Sequence, residues 1–362
     1  MTAGPATTDT LPDLRAWFED RTTSGAFSGR ALIWRDGAPI FSFAGGLAHR
    51  GHGVPVTEQT RFGVASITKM MTTISALQLV EQGRVALDTP LPDVLPADQQ
   101  PAALTREHTL HHLLSHTSGL TNYHDDDDPT LTAFKANWDR IPTYNIRRAA
   151  DMLPLFVDLP AAAPPGSEVR YNDAGFILAG LVVEAVTGRP WSEVVTEAVF
   201  EPAGMTDTGL EPLDADPARL AVAYMEDDGP PDQWRSNVFS VPAAPMPDGG
   251  MITTPEDLAR LIDALNGGRL LGPELLAAMT RPQGPPSDEV EQWGYGCRLT
   301  MRGEEVVGWG HGGGDPGISC LLTHYPAAAT TVVVLCNRDR GSLAATLQIA
   351  AALGIDDPQA AG

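Results

Sequence analysis

Runs that read as β-strands lie near the two ends of the chain and are missing from its long middle, and this distribution limits the fold more than any other feature. GRALIWRDGAPIFSFAGG, residues 29–46, reads as two strands around the turn Asp36-Gly37, whose residue types suit the left-handed backbone of a tight hairpin. Strand patterns return only in WGYGCRLTMR (293–302), GISCLLTHYP (317–326) and TTVVVLCNRD (330–339). Helices are expected at Thr10–Arg21 and Leu343–Leu353. The intervening residues alternate helical periodicity with connections rich in proline and glycine, such as LPAAAPPGSEV. The expected architecture is an α/β (α+β) fold, an antiparallel sheet flanked by helices and assembled from both termini, with a mainly helical lobe inserted. The boundaries put residues 1–84 and 285–362 in the sheet lobe and 85–284 in the helical lobe, with a site between them.

Two stretches define individual helices. From Ser66, apolar residues at Ile67, Met70, Met71, Ile74, Leu77 and Val80 follow one helical face, and Gly83 stands where a left-handed residue would end it. Thr254-Pro255-Glu256-Asp257 supplies an N-cap, a proline at the first helical position and an acid at the third, for a helix running to Gly267.

The chain has 362 residues and a formal charge of −22, which argues against a nucleic-acid or anionic-membrane surface, because those partners need clustered lysine and arginine. No window holds the roughly 18 apolar residues of a membrane-spanning helix. The three cysteines, Cys297, Cys320 and Cys336, have no disulfide or zinc spacing and read as reduced packing residues. With an N-terminus that lacks a secretory pattern, they point to the cytoplasm.

Only two lysines occur, and Lys69 stands three residues after Ser66. Residues i and i+3 share a helix face, so the amine can reach a hydroxyl that is a poor nucleophile without a base beside it. Short patterns of this kind arise by chance, so companions decide the matter. Tyr171 precedes a helix in SEVRYNDAGFILAGLVVEAVTG. In VVGWGHGGGDPGISC a strand-like run ends at His311 and is followed by Gly312, Gly313 and Gly314, where backbone could approach a ligand and offer an N–H to an oxyanion.

SITK, Tyr171-Asn172-Asp173 and His311-Gly312-Gly313, in that order, resemble the three-motif set of the serine β-lactamase and penicillin-binding-protein superfamily, and more closely its class C β-lactamase-like branch. HTLHHLLSHTSGL (108–120), EPAGMTDT (201–208) and DGGMITTPEDLARL (248–261) extend the resemblance over residues 28 to 350. It implies a sheet-based lobe and an all-helical lobe. It also makes Ser66 the acylated nucleophile, with Lys69 and Tyr171 sharing proton transfer and the N–H groups of Ser66 and Gly314 holding the oxyanion. Asp173, His311 and Gly313 would contact substrate. Two departures stand out. Asp173 replaces the usual asparagine, which favours a charged lysine and moves the base role toward Tyr171. Gly312 replaces the hydroxyl residue that relatives use to grip a carboxylate. Both turn the expectation from β-lactams toward small esters, with a D-amino-acid peptidase or β-lactamase, a tailoring acyltransferase and a non-catalytic binding protein as alternatives. No cofactor or metal is expected, the partner is a small ester or amide, and oligomeric state is not read from the sequence. The cluster His108, His111, His112, His116 lacks the acid of H-E-x-x-H, the run at 124–129 reads as a solvated acidic loop, and the Gly-x-Ser-x-Gly elbow is absent.

Overall fold

A strand covered on both faces has no polar side, and the run TTVVVLC forms such a strand. In the computed structural model, which describes residues 11–124, 132–226, 234–286 and 289–361, it belongs to an antiparallel sheet of seven. The strands are β1 (Gly29–Arg35), β2 (Ala38–Gly45), β3 (Glu291–Trp293), β4 (Arg298–Arg302), β5 (Glu305–Asp315), β6 (Ile318–Tyr325) and β7 (Thr330–Cys336). They lie in the order β2-β1-β7-β6-β5-β4-β3. The ends of the chain therefore meet where β1 pairs with β7, Gly29 opposite Cys336. Asp36 and Gly37, with φ of 51° and 75°, close the β1–β2 hairpin as their residue types required.

Alternation divides β7 between two cores. Val332, Val334 and Cys336 join Phe18, Phe27, Phe41 and Phe43 on one face. That face is closed by helices α1 (Pro12–Thr23) and, at the far end of the chain, α5 (Ser342–Ala352). Val333 and Leu335 face the larger core, which holds α2 (Thr68–Glu81), α3 (Asp173–Thr187) and α4 (Pro255–Asn266). The Thr254 side chain accepts from the Asp257 N–H, so α4 has the N-cap its sequence specified. Helix α4 lies within the stretch assigned to the helical lobe, yet it packs on β1 and β7. Trp34 Nε1 donates to Asp263 at 2.8 Å, and the buried Arg30 pairs with Glu256.

Two expectations need correction. The strand-like run does not end at His311: β5 continues through the glycines to Asp315, paired with β6 throughout. Strand propensity of glycine is poor, and the ladder and packing override it. Ser66 also does not open the α-helix itself. A single 3₁₀ turn, Ala65–Ile67, carries it, and α2 begins at Thr68. The three cysteines are buried and free, and most of the acidic run at 124–129 lies outside the described residues.

Candidate active site

Ser66 is held by anchors on both sides. The Val64 N–H donates to Met251 O at 3.0 Å, Thr68 Oγ1 donates to Ala65 O at 2.6 Å, and the Met251 N–H donates to Thr68 Oγ1 at 3.0 Å. Between them Ala65 takes φ of 44°, a left-handed conformation that costs an alanine about 1–2 kcal/mol and persists only where its surroundings enforce it.

From the first turn of α2 the fully buried Lys69 reaches three acceptors, one for each ammonium proton. Its Nζ donates to Ser66 Oγ at 2.9 Å, to Asp173 Oδ1 at 2.5 Å and to Asp248 O at 2.7 Å. Two features bring Asp248 there. Thr72 Oγ1 donates to Pro247 O at 2.6 Å, and Gly180 of α3 lies against Pro247, where a Cβ would come within 2.2 Å of its ring. Asp173 sits in the first turn of α3, at the positive end of the helix. Asn122 Nδ2 donates to its Oδ2 at 3.2 Å, and His124 Nε2 stands at 3.2 Å. Burial opposes ionisation of Asp173, but Lys69, His124 and Asn122 outweigh it and hold the carboxyl below its ordinary range. Burial likewise opposes a charged Lys69, and Asp173, Tyr171 and Asp248 overcome it, so the lysine pKa is raised and the group is an ammonium.

Tyr171 stands beside Lys69, whose Nζ lies 5.0 Å from the centre of its ring, and Lys69 and Ser66 both favour its ionised form. Burial raises its pKa more than Lys69 lowers it, so the resting group is a neutral phenol. Its ring stacks on His116, centroids 4.6 Å apart, and leans on Trp293 at 5.2 Å. His311 lies beside Trp293 at 5.4 Å. Burial, then Lys69, push His311 down to about 3, so the imidazole is neutral at physiological pH, with Nδ1 2.5 Å from Gly312 O. It is no substitute for a lysine charge. β4 pairs with β5 only as far as Gly310, and beyond it the Ser66 turn packs on β5, with Gly313 against Val64 O.

Ser66, Lys69, Tyr171, Asp173, His311, Gly313 and Gly314 thus fall in one connected set of contacts, Gly314 through its neighbours in β5. The sequence left Asn122, Tyr123, His116, Asp248, Trp293 and Asp315 without roles. Tyr123 donates its phenol proton to Asp248. Asp248 and Asp315 both line a cavity of about 1110 Å³ beside the site. Burial and neighbouring Asp248 push Asp315 up to about 7. His116 and Asp248 stood in quoted segments, but no spacing rule joins them to residues 55 or 179 positions away. The histidines of 108–116 are used locally: His111 Nδ1 meets Tyr295 OH at 2.8 Å, His112 Nδ1 accepts from the Thr109 N–H, and His116 Nδ1 accepts from the Asn172 N–H. Among the described residues no group of three or more histidine, cysteine, aspartate or glutamate side chains is placed to hold a metal, and no helix is long and apolar enough to cross a membrane.

A serine bonded to a buried lysine at the junction of an antiparallel sheet and a helical layer is the arrangement of the serine hydrolases with a β-lactamase-like fold. The Beta-lactamase family model matches residues 14–354, and the chain belongs to that family. It is similar to Esterase EstB of Burkholderia gladioli, 32% identical over 74% of this chain and 73% of that one. It is 29% identical to Penicillin-binding protein 4 of Amycolatopsis lactamdurans over 88% and 83% of the two chains. A crystal structure of a penicillin-binding protein from Bacillus halodurans superposes with a TM-score of 0.85 at 36% identity, covering 93% of this chain and 99% of that one.

Proposed function

We propose that this protein is a serine esterase that forms an acyl-enzyme on Ser66. The observation that carries the reading is the 2.9 Å contact between Ser66 Oγ and Lys69 Nζ, next to a large cavity that is lined by Asp248, the residue whose carbonyl also binds Lys69. At rest neither neighbour is a free base, because Lys69 is an ammonium and Tyr171 a neutral phenol. The 2.5 Å contact with Asp173 supplies a relay: as Oγ attacks the ester carbonyl its proton passes to Lys69 Nζ while Nζ passes one of its own to the carboxylate, so that no free amine forms. The N–H groups of Ser66 and Gly314 receive the developing oxyanion. Tyr171 protonates the departing alkoxide and is reprotonated from Lys69, and Asp173 then returns its proton. Water repeats the sequence to release the acid.

A general acid must stand beside the leaving group, and Tyr171 stands on the flank of Trp293 and His311. The acyl part is therefore assigned to the opposite flank, where Tyr123, Asp248 and Asp315 open into the cavity. Esters are favoured over β-lactams and peptides because Asp173 offers no amide donor and Gly312 no hydroxyl, and because the relative EstB is an esterase. Intact-protein mass after brief exposure to a p-nitrophenyl ester is expected to rise by the acyl group in the native protein and to stay unchanged in Ser66→Ala. A parallel tube with a penicillin ranks β-lactam chemistry. Absence of any Ser66-dependent adduct or nitrophenol release would remove the esterase reading.

Asp315 adds a pH dependence. Its carboxyl ionises as pH rises through about 7, next to Gly314, and a negative charge there opposes the oxyanion. Log kcat/KM for a p-nitrophenyl ester is expected to bend downward above about pH 7 in the native protein and not in Asp315→Asn. An identical bend in both proteins would rule Asp315 out as its source.

A further inference from the structure

The cavity beside Ser66 has two electrostatic poles. At the Ser66 end are Asp248 and Asp315. Elsewhere on its wall is Arg50, whose guanidinium carbon lies 3.5 Å from the centre of the Trp234 ring and 5.5 Å from that of Tyr224. The Arg50 backbone N–H donates to the Tyr224 hydroxyl at 2.9 Å, which fixes the chain from which the side chain extends. Among the described residues no carboxylate lies within ion-pair distance of Arg50, although the other guanidinium of this corner, Arg338, is paired with Glu226. The charges that act on Arg50 are Arg338, Tyr224 and Glu226, whereas those acting on Asp315 are Asp248, Lys69, Asp173 and His124. Apolar side chains of Leu213, Leu220, Val222, Val241, Met246 and Ile318 also line the wall.

A guanidinium stacked flat on an indole keeps its edge N–H groups free for a planar, bidentate acceptor, and the aromatic shelf removes the flexibility that makes most surface arginines poor anchors. Burial and Arg338 already disfavour its charge, so an incoming anion relieves an existing cost. We propose that Arg50 on Trp234 is a carboxylate-binding subsite, and that the preferred substrates are esters whose acyl chain ends in a carboxylate distal to the scissile carbonyl. The inference rests on the esterase reading and on the assignment of the acyl group to this cavity. Orientation follows from Arg50, which attracts the anionic end, so the neutral ester carbonyl is the end left at the nucleophile. An acyl chain ending in a methyl group fills the apolar wall but brings no carboxylate to Arg50.

The test compares the mono-p-nitrophenyl ester of suberic acid with p-nitrophenyl octanoate, equal in chain length and leaving group and different only in the terminal group. The native protein is expected to favour the carboxylate-ended ester by about tenfold in kcat/KM, the scale of one charge-assisted contact. In Arg50→Gln this ratio is expected to fall about tenfold, and Arg50→Lys should restore part of it. Because both esters are measured on the same preparation, loss of folded enzyme cancels from the ratio. A native preference for octanoate, or a ratio unchanged in Arg50→Gln, would overturn the proposal while leaving the esterase reading intact. If neither ester is turned over through Ser66, the esterase reading falls, and the subsite is then read by calorimetric binding of suberate to the native protein. Binding weakened by Arg50→Gln supports the subsite, and absence of binding overturns it.

Discussion

Lys69→Met is expected to abolish measurable ester turnover, a loss of about 10³-fold or more, and to destabilise the fold by about 3–5 kcal/mol at neutral pH. The two effects have separate origins. Catalysis fails because no amine remains to exchange protons among Ser66, Asp173 and Tyr171. Stability falls because the carboxylate of Asp173, 4% exposed, loses its cation and keeps Asn122 and His124 as its side-chain partners among the described residues. Breaking a buried pair costs more than the pair is worth, since one charge is left uncompensated. The double variant Lys69→Met/Asp173→Asn is therefore expected to recover more than half of the lost stability while remaining inactive. Urea unfolding of the three proteins, alongside nitrophenol release, measures both.

The sign of the pH dependence follows from the shifts. Asp173 is held down to about 2 in the folded state, so its stabilising contribution is complete above the unfolded carboxyl value near 4 and is lost as pH falls through 2. Lys69 is shifted upward, so its contribution is complete below its unfolded value of about 10.4 and is lost only at higher pH. Between about pH 5 and 9 the native advantage over Lys69→Met should be largest, and it should narrow in acid as the carboxyl takes up a proton in both proteins. A cost below about 1 kcal/mol, or no recovery in the double variant, would mean that the pair is not the source of stability at this site.

How far such a site can be read from sequence depends on how local its causes are. Lys69 was legible as a neighbour of Ser66 because a helix repeats its face every three to four residues, whereas Tyr171, whose place before a helix is by itself ordinary packing, was assigned only through the resemblance of the three-motif set. The sheet was legible because Thr330–Cys336 is apolar at consecutive positions, the mark of a strand buried on both sides. Asp248 was not legible as a partner: it reaches Lys69 through its backbone carbonyl, from a loop clamped by Thr72 and Gly180, and no side-chain pattern records a carbonyl. Arg50 and Trp234 are joined only by tertiary folding, from a turn and from a short strand paired with Tyr224–Glu226, 184 positions apart. The glycines after His311 were read as the end of a strand, open to close approach of a ligand, and the continuation of β5 through them reflects tertiary packing.

That packing carries the second large effect. An alanine Cβ at Gly313 would stand 2.1 Å from Val64 O and 3.0 Å from Val64 C, far inside contact distance, and both obstacles are backbone. The sequence had assigned these glycines to approach of a ligand, whereas Gly313 admits the chain that carries Ser66. Gly313→Ala must push the Val64–Ser66 segment away from β5 and so change the distance between the Ser66 nucleophile and the Gly314 N–H. Displacement on the scale of 1 Å costs about 10²-fold, and loss of an oxyanion donor about 10²–10³-fold, chiefly in kcat. Gly313→Ala is therefore expected to lower kcat by about 10²–10³ with a smaller change in KM, and overpacking should cost about 1–3 kcal/mol of stability. Gly312→Ala provides the control, because its Cβ would make only ordinary contacts, 3.6 Å to Leu321 Cδ1 and 3.9 Å to Cys320 O, and kcat is expected to stay within about threefold of native. Steady-state kinetics on both variants, with melting temperatures to normalise for folded protein, decides the point. Equal effects at the two positions would mean that the close approach of Val64 to β5 does not set the geometry of attack.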